Sequence, residues 1–254
     1  MRIKYYGYTD KGRIRSLNED AFLEGDNIFN NIDSGGNNEP VEINLPEKPF
    51  IIAIADGMGG HEGGEIASKY TLTNLIKKFR NDYDSSRTVE DNLRSAILSI
   101  HNDLIKYGND INKLEMGTTL TGCLFFQNQM KVFNVGDSRL YIYDNNLVQI
   151  TDDHTLQNET KIMEMPKNIL TSCVGGGISY IKIDIFDITD SIKPNTFMFL
   201  CSDGISDYVT DNEISQIIDE NKTDLTKMVR SMLIKSIDNN TRDNITGIAV
   251  QILE

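Results

Sequence analysis

The sequence predicts an α+β protein in which antiparallel β-sheets are stacked face to face and helices cover the outside. Strand and helix patterns do not alternate regularly, as they would in a parallel βαβ sheet. Strands come first, then two helices, then a run of strands, then strands mixed with helices. Phe50–Ala55 and Phe197–Cys201 are continuous apolar runs, which is typical of strands covered on both faces.

Four segments show the three-to-four-residue apolar spacing of an amphipathic helix. The first covers residues 66–79, the second 89–107 and the fourth 225–237. The third begins at Thr210 and has Glu213 three residues later, which is the pattern of a capping box.

The other periodic segments are predicted as strands. Residues 181–185 and 248–252 alternate between apolar and other side chains, so each strand is expected to have one wet face. A run of short strands is interpreted as a meander with a tight turn at Asn145-Asn146. Its strands are predicted at residues 118–126, 129–135, 138–143 and 147–150.

Residues 26–49 are rich in Asn, Gly, Asp and Pro and are predicted to form a long loop or loose hairpin. The sequence shows no internal repeat and no interdomain linker. Residues 1–254 are therefore expected to form one domain.

Composition narrows the classes of function. The apolar fraction of 39% and the charged fraction of 25% are those of a globular protein. A net charge of -13 repels nucleic acid, so no nucleic-acid partner is expected. The three cysteines have no paired spacing and indicate reduced thiols in a cytoplasmic protein. The N-terminus has no apolar signal core, and Phe50–Ala55, the longest apolar run, is too short to span a bilayer.

Acidic residues recur beside the predicted strands. Asp56 and Asp203 follow the two continuous apolar strands, and each is followed by a glycine. Converging carboxylates at buried strand ends require a compensating cation. Carboxylate oxygens without His or Cys partners suit Mg²⁺ or Mn²⁺ rather than zinc. The other acidic residues in such positions are Glu19, Asp20, Asp137 and Asp243.

Two such ions, about 3.5–4 Å apart, activate a water and neutralise a phosphoryl group. Arg15 lies four residues before Glu19 and is suited to bind a phosphate bidentately. The glycine-rich segment 57–64 lets the backbone approach an ion, and it is no P-loop because no Gly-Lys-Ser/Thr follows. On spacing alone, each Asp-Gly pair also fits an ordinary turn, and Arg15 a solvated surface residue.

Eight short motifs follow one another along nearly the whole chain. They are GRIRSLNED at 12–20, ADGMGGH at 55–61, GTT at 117–119, NVGDSR at 134–139, DHT at 153–155, NILT at 168–171, SDG at 202–204 and RDNIT at 242–246. In this order they resemble the motifs of the metal-dependent serine/threonine protein phosphatases of type 2C, the PPM family, and of its bacterial branch in particular.

The resemblance implies a four-layer αββα sandwich of two antiparallel β-sheets flanked by helices, with a dinuclear metal centre at one end. By position in the motifs, Asp56 would bridge both metals. Asp203 and Asp243 would hold one metal, and the carbonyl of Gly57 the other.

The same resemblance assigns the remaining site residues. Glu19 and Asp20 would act close to the centre, partly through bound water. Asp137 with Asp203 would form the third metal site of bacterial members, and Arg15 would bind the substrate phosphate. The implied cofactors are two Mn²⁺ or Mg²⁺ ions, with a third ion at the Asp137 site.

The resemblance also implies the reaction and the partners. Phosphoserine and phosphothreonine would be hydrolysed by metal-activated water, without a phospho-enzyme. The substrates would be phosphorylated proteins, and the enzyme would oppose a bacterial Ser/Thr kinase. We expect a cytoplasmic monomer. The alternative is a pseudophosphatase that kept the fold and lost turnover. The presence of every expected carboxylate argues against it. A third reading, a phosphatase dedicated to one partner, would need a further domain.

Two departures from the family pattern concern the general acid and the flap. Many eukaryotic members have a His directly after the Asp-Gly pair as the proposed acid, whereas this chain has Met58. His61 is compatible with an acid role or with a loop role. Residues 155–177 correspond to the flap of relatives and form a shorter segment, which bears on substrate selection and on the third metal site.

Overall fold

The strands and helices are those of a computed structural model that describes residues 1–30, 33–59, 63–162, 164–166 and 169–253. The strands are β1 Arg2–Asp10, β2 Ala21–Glu24, β3 Asn27–Phe29, β4 Ser34–Gly36, β5 Val41–Asn44, β6 Phe50–Ala55, β7 Gly57–Met58, β8 Gly117–Thr118, β9 Leu120–Phe126, β10 Gln129–Val135, β11 Arg139–Asp144, β12 Asn146–Gln149, β13 Val174–Gly175, β14 Asp184–Asp187, β15 Phe197–Cys201 and β16 Ile245–Ile252. The helices are α1 Gly63–Asn81, α2 Val89–Asp110, α3 Leu156–Thr160, α4 Asp203–Ser206, α5 Asp211–Glu220 and α6 Leu225–Asp238.

These strands form two large sheets and a small one. Sheet A has the order β12-β11-β15-β16-β1-β4, with β5 also paired to β1. Sheet B has the order β14-β10-β9-β6-β2-β3, and the small sheet has the order β13-β8-β7. Every strand pairing in the described part of the chain is antiparallel.

Three hydrophobic layers show how the sheets and helices are stacked. One layer lies between sheets A and B, one between sheet B and helices α1 and α2, and one between sheet A and helices α5 and α6. Examples are Leu140 and Val250 in the first layer, Leu72 and Ile97 in the second, and Ile214 and Met228 in the third. This is the predicted αββα sandwich, and the fold class is confirmed.

The strongest sequence patterns correspond to the elements that were expected. All four amphipathic helices are present, as α1, α2, α5 and α6. Thr210 and Glu213 form the capping box, in which the Thr210 N–H donates to Glu213 Oε2 at 2.9 Å. Every residue of β6 and of β15 is buried, as continuous apolar strands require.

The predicted meander is wrong, because its strands divide between the two sheets. β9 and β10 form a hairpin in sheet B, whereas β11 and β12 form a hairpin in sheet A. The chain passes from one sheet to the other at residues 136–138, where Gly136 has a φ of 108°. Spacing identifies hairpins but not the sheet that each one joins.

Three other strand predictions need correction. Residues 248–252 were expected to have one wet face, but all residues of β16 are buried except Gln251, which is half-buried, so β16 is covered on both faces. Ile181 and Ile183 are buried but lie outside the ladder, which begins at Asp184. Their alternation therefore reflects alternate burial along a loop. Residues 26–49, predicted as a loop or loose hairpin, contain the short strands β3, β4 and β5, which lie at sheet edges.

The structure bears on two further expectations. All three cysteines are buried and free, with Cys123 and Cys201 in strands and Cys173 just before β13. In the described ranges, the helices are too short or too polar to cross a membrane.

Candidate metal centre

A cavity of about 520 Å³ is lined by seven of the eight residues singled out in the sequence. The seven are Arg15, Glu19, Asp56, Gly57, Asp137, Asp203 and Asp243. The eighth, Asp20, is 1% exposed and directly precedes β2. Residues far apart in the sequence therefore meet at one end of the sandwich, as the strand-end pattern predicts.

Asp56 is held at the end of β6 by two threonines. Its N–H donates to Thr119 Oγ1 at 3.0 Å. Its carbonyl oxygen accepts from the Thr119 N–H at 2.9 Å and from Thr118 Oγ1 at 2.8 Å. The sequence motif at 117–119 thus fixes the backbone from which the Asp56 carboxylate projects, a role that spacing alone did not assign.

Asp203 and Asp243 are brought together by a close backbone contact at Gly204. A Cβ at Gly204 would overlap the carbonyl oxygen of Asn244, so only glycine permits this approach. Asp203 opens α4 after a single residue, Ser202, that separates it from β15. Asp243 precedes β16, the neighbour of β15 in sheet A. The glycine after Asp203 is therefore required by packing rather than by a turn alone.

Asp20 lies beneath the cavity and is held by hydroxyl groups. Its Oδ2 accepts from Ser202 Oγ at 2.8 Å and from Thr246 Oγ1 at 2.6 Å. Its Oδ1 is buried and has no hydrogen-bond partner. Ser202 and Thr246, which the sequence analysis did not single out, occur inside the SDG and RDNIT motifs.

Asn244 holds the loop that carries Arg15 and Glu19. Its Oδ1 accepts from the Glu19 N–H at 2.9 Å, and its Nδ2 donates to the Leu17 carbonyl oxygen at 2.9 Å. Arg15 lies at the cavity mouth, where its Nη2 donates to Asp243 Oδ2 at 2.7 Å. Asn244 was missed as a functional residue, and its position directly after Asp243 is the signal that could have identified it.

The carboxylates oppose one another's ionisation. Burial raises the pKa of Asp56 well above its ordinary value, and the charges of Asp20 and Asp203 raise it further. Burial, then Asp137 and Asp243, likewise raise the pKa of Asp203. Such a set of acidic groups is stabilised by a bound cation.

Two further acidic groups show the same effect of burial. The pKa of Asp20 is raised to about 6 by burial, against the hydrogen bonds from Thr246 and Ser202. The pKa of Asp137 is raised to about 7 by burial and then by the charges of Asp153 and Asp207. For both groups, burial disfavours the charged form unless a cation compensates it.

The donor set fits hard divalent cations. It consists of carboxylate oxygens, and Asp203 Oδ1 is buried without a hydrogen-bond partner. Within the described residues, no group of three or more Asp, Glu, His or Cys side chains is arranged so that it could hold a metal ion as it stands. One of the carboxylates, Asp243, is paired with Arg15, whose Nη2 lies 2.7 Å from Asp243 Oδ2.

The three histidines have different positions. His61, compatible by sequence with an acid role or a loop role, lies outside the described residues. His101 is buried, and its Nδ1 accepts from the Gly175 N–H at 3.1 Å. His154 is fully buried and hydrogen-bonded to Gly136, which gives it a structural position behind the cavity.

Comparison with known proteins agrees with the fold and the motifs. The family model for Protein phosphatase 2C matches residues 42–243. The serine/threonine phosphatase stp of Listeria monocytogenes is 30% identical over 257 residues, which cover 96% of this chain and 93% of that protein. The crystal structure of serine/threonine phosphatase Stp1 from Staphylococcus aureus has 28% identity and a TM-score of 0.76, covering 98% of this chain and 95% of that one.

A further structure shares the fold at lower identity. It is the catalytic domain of the phosphatase PstP in complex with two manganese ions, with 24% identity, a TM-score of 0.73 and full coverage of both chains. The match of the family model to most of the chain, together with the identity to stp over nearly its whole length, decides the family. This chain belongs to the protein phosphatase 2C family of metal-dependent serine/threonine phosphatases, in its bacterial branch.

Proposed function

We propose that this enzyme uses two Mn²⁺ or Mg²⁺ ions to hydrolyse phosphoserine and phosphothreonine in the protein substrates of a bacterial Ser/Thr kinase. The observation that carries the proposal is the cavity in which Asp56, Asp137, Asp203 and Asp243 converge beside Arg15. Carboxylates bind the cations and a guanidinium binds the phosphate, which are the two requirements of metal-assisted phosphoryl transfer.

Asp56, Asp203, Asp243 and the Gly57 carbonyl are the proposed ligands of the two ions. When bound, such ions supply an activated water and neutralise the charge of the transferred phosphoryl group. The manganese ions named for the PstP structure, which shares this fold, support the choice of metal. Glu19 is placed at the same cavity and is proposed to act through bound water.

A third ion is proposed between Asp137 and Asp203. These two side chains line both the central cavity and a neighbouring one of about 520 Å³. Asp137 is the charged neighbour with the largest effect on the pKa of Asp203, which indicates that the two carboxylates are close. The neighbouring cavity also contacts Thr155 and Asn158 of the flap segment.

The residues of the chain orient the reacting groups. Arg15 is proposed to bind the phosphate at the cavity mouth, where its guanidinium is half-exposed and already in contact with Asp243. Asp20 is proposed to support the water beside Asp56 through its unpaired Oδ1. The cytoplasmic location and the monomeric state stay predictions.

We expect Mn²⁺ to be required for turnover of a phosphothreonine peptide. EDTA should reduce phosphate release to background, because among the described residues that line the cavity only Arg15 is positively charged, and one guanidinium does not replace the charge of two ions. Phosphate release is measured with Mn²⁺, after EDTA, and after Mn²⁺ is restored, with circular dichroism as the control for folding. Turnover that persists in EDTA, or none in folded protein with Mn²⁺, would contradict the proposed function.

Arg15→Ala is expected to raise KM for the phosphopeptide by roughly 10-fold or more with a smaller effect on kcat, because a charge-assisted hydrogen bond to phosphate is lost. Arg13→Ala is the matched control, since Arg13 is also exposed on the same loop. Steady-state kinetics on both variants measure the difference. If KM is unchanged in Arg15→Ala, Arg15 does not bind the phosphate.

A further inference from the structure

His154 is fully buried, and two of its hydrogen bonds are made to Gly136 in the turn that carries Asp137. The Gly136 N–H donates to His154 Nδ1 at 3.2 Å. The His154 N–H donates to the Gly136 carbonyl oxygen at 2.9 Å. Both backbone groups of Gly136 are therefore bonded to one residue, and Gly136 directly precedes Asp137.

Other side chains support this turn at its far end, where the hydroxyl group of Ser138 is hydrogen-bonded to Thr119 Oγ1 and its carbonyl oxygen accepts from Thr121 Oγ1. Residues 136–138 pass from sheet B to sheet A and lie outside both ladders. Gly136 has a φ of 108°, a conformation that the sheet itself does not impose. Asn134 Nδ2 adds one hydrogen bond to the Gly136 carbonyl oxygen, at 3.1 Å. The direction in which Asp137 leaves the turn depends on how Gly136 is held.

The hydrogen bonds define the tautomer of His154. A backbone N–H only donates, so Nδ1 must be the unprotonated acceptor. The proton is then on Nε2, which lies 2.9 Å from Asp184 Oδ2 and donates to it. Burial alone would raise the pKa of Asp184, but the hydrogen bonds from His154 and Lys182 lower it, so this carboxylate is an ionised acceptor.

The backbone of His154 also reaches the flap segment. Its carbonyl oxygen accepts from the Thr171 N–H at 2.9 Å. The next residue, Thr155, forms a β-bridge with Leu170. Leu170, Thr171 and Asp137 all line the central cavity. One buried residue thus joins two parts of the cavity wall.

We propose that His154 is a positioning residue for Asp137. Its imidazole, oriented by Asp184, holds the Gly136 turn so that the Asp137 carboxylate faces Asp203, and its carbonyl group ties that turn to the base of the flap. The inference rests on the proposed function in that Asp137 serves the metal centre. Its structural part, the hydrogen bond from Gly136 to a neutral imidazole, is independent of turnover.

Two amide substitutions distinguish the two hydrogen bonds of the His154 side chain, one with Gly136 and one with Asp184. In His154→Asn the amide oxygen occupies the place of Nδ1 and still accepts from Gly136. In His154→Gln the amide reaches the place of Nε2 and still donates to Asp184, but the acceptor for Gly136 is lost. Each variant keeps one of two buried hydrogen bonds, so similar losses of thermal stability are expected.

The expected results differ between the two variants. In metal-free protein, hydrogen exchange of the Gly136 amide should stay slow in His154→Asn and become fast in His154→Gln. With Mn²⁺, kcat on a phosphothreonine peptide should fall about 100-fold in His154→Gln, with little change in KM, because Asp137 is displaced while Arg15 is not. Binding of Mn²⁺, followed by electron paramagnetic resonance, should weaken in the same variant, and His154→Asn should lose less than about tenfold in kcat.

Equal losses of kcat in both variants, or losses that simply follow the melting temperature, would overturn the proposal. A slow Gly136 amide in His154→Gln would do the same. If neither variant folds, nitrogen-15 spectra of the wild-type imidazole decide: an unprotonated Nδ1 supports the proposal and a protonated Nδ1 overturns it. An inactive wild-type protein would refute the proposed function, whereas the exchange, manganese-binding and imidazole measurements would still test the role of His154.

Discussion

Asp203→Asn is expected to reduce kcat/KM by about 10⁴-fold, the scale found when one member of a site that acts as a unit is removed. Asp203 is the proposed ligand common to the central pair of ions and the third ion. An amide of the same size keeps the packing at α4 but removes the negative charge. Phosphate release from a phosphothreonine peptide with Mn²⁺ measures the loss, and substantial remaining activity would show that the centre is misplaced.

The same substitution is expected to stabilise the metal-free protein by about 1–2 kcal/mol at alkaline pH. The pKa of Asp203 in the folded state is raised by burial and then by Asp137 and Asp243, so folding favours its protonated form. The free energy of unfolding of the metal-free wild type therefore falls as pH rises through that pKa. The Asp203→Asn variant has no such loss, so its stability relative to wild type increases with pH. Thermal denaturation of both proteins in EDTA, at acidic and at alkaline pH, measures this difference in stability.

Asp238→Asn is the matched control, because Asp238 is exposed at the end of α6 and does not line the cavity. It should leave activity unchanged and shift stability only slightly, without the trend with pH. If Asp203→Asn instead destabilises the metal-free protein at alkaline pH, the carboxylates do not repel one another as inferred.

Gly204→Ala is expected to lower the free energy of unfolding by about 1–3 kcal/mol, because the added methyl group overlaps the Asn244 carbonyl oxygen. The strain separates Asp203 from Asp243, so kcat should also fall by about 100-fold. Urea denaturation and steady-state kinetics measure the two effects. Ser206→Ala, in the same short helix, is the control, and equal behaviour of the two variants would refute the steric argument.

The sequence predicts the αββα arrangement because its strongest signals come from elements buried on a whole face. The helices α1, α2, α5 and α6 and the strands β6 and β15 are of this kind. β1 was not identified because charged and aromatic residues share Arg2–Asp10, and its stability comes from pairing with distant β16. Long-range packing decides which sheet each hairpin joins, and local periodicity carries no information about such packing.

The candidate site was predictable where one residue type repeats in one structural position. Asp56, Asp137, Asp203 and Asp243 all adjoin strands that end at the same cavity. The groups that hold them were not predictable in this way, because Thr119, Asn244 and His154 act through hydrogen bonds between their side chains and backbone atoms of distant residues. Such bonds produce no periodic pattern of residue types in a sequence.

The pairing of β1 with β16 has a consequence for biosynthesis. Ile3 lies opposite Ile252 and Asp10 opposite Ile245, so the middle of sheet A joins β1 to β16, a strand that is translated long after it. Contacts of such large sequence separation form late and slowly. A chain still emerging from the ribosome has Asp56 but not the strand that follows Asp243, so the enzyme is expected to gain activity only after synthesis has passed Ile252.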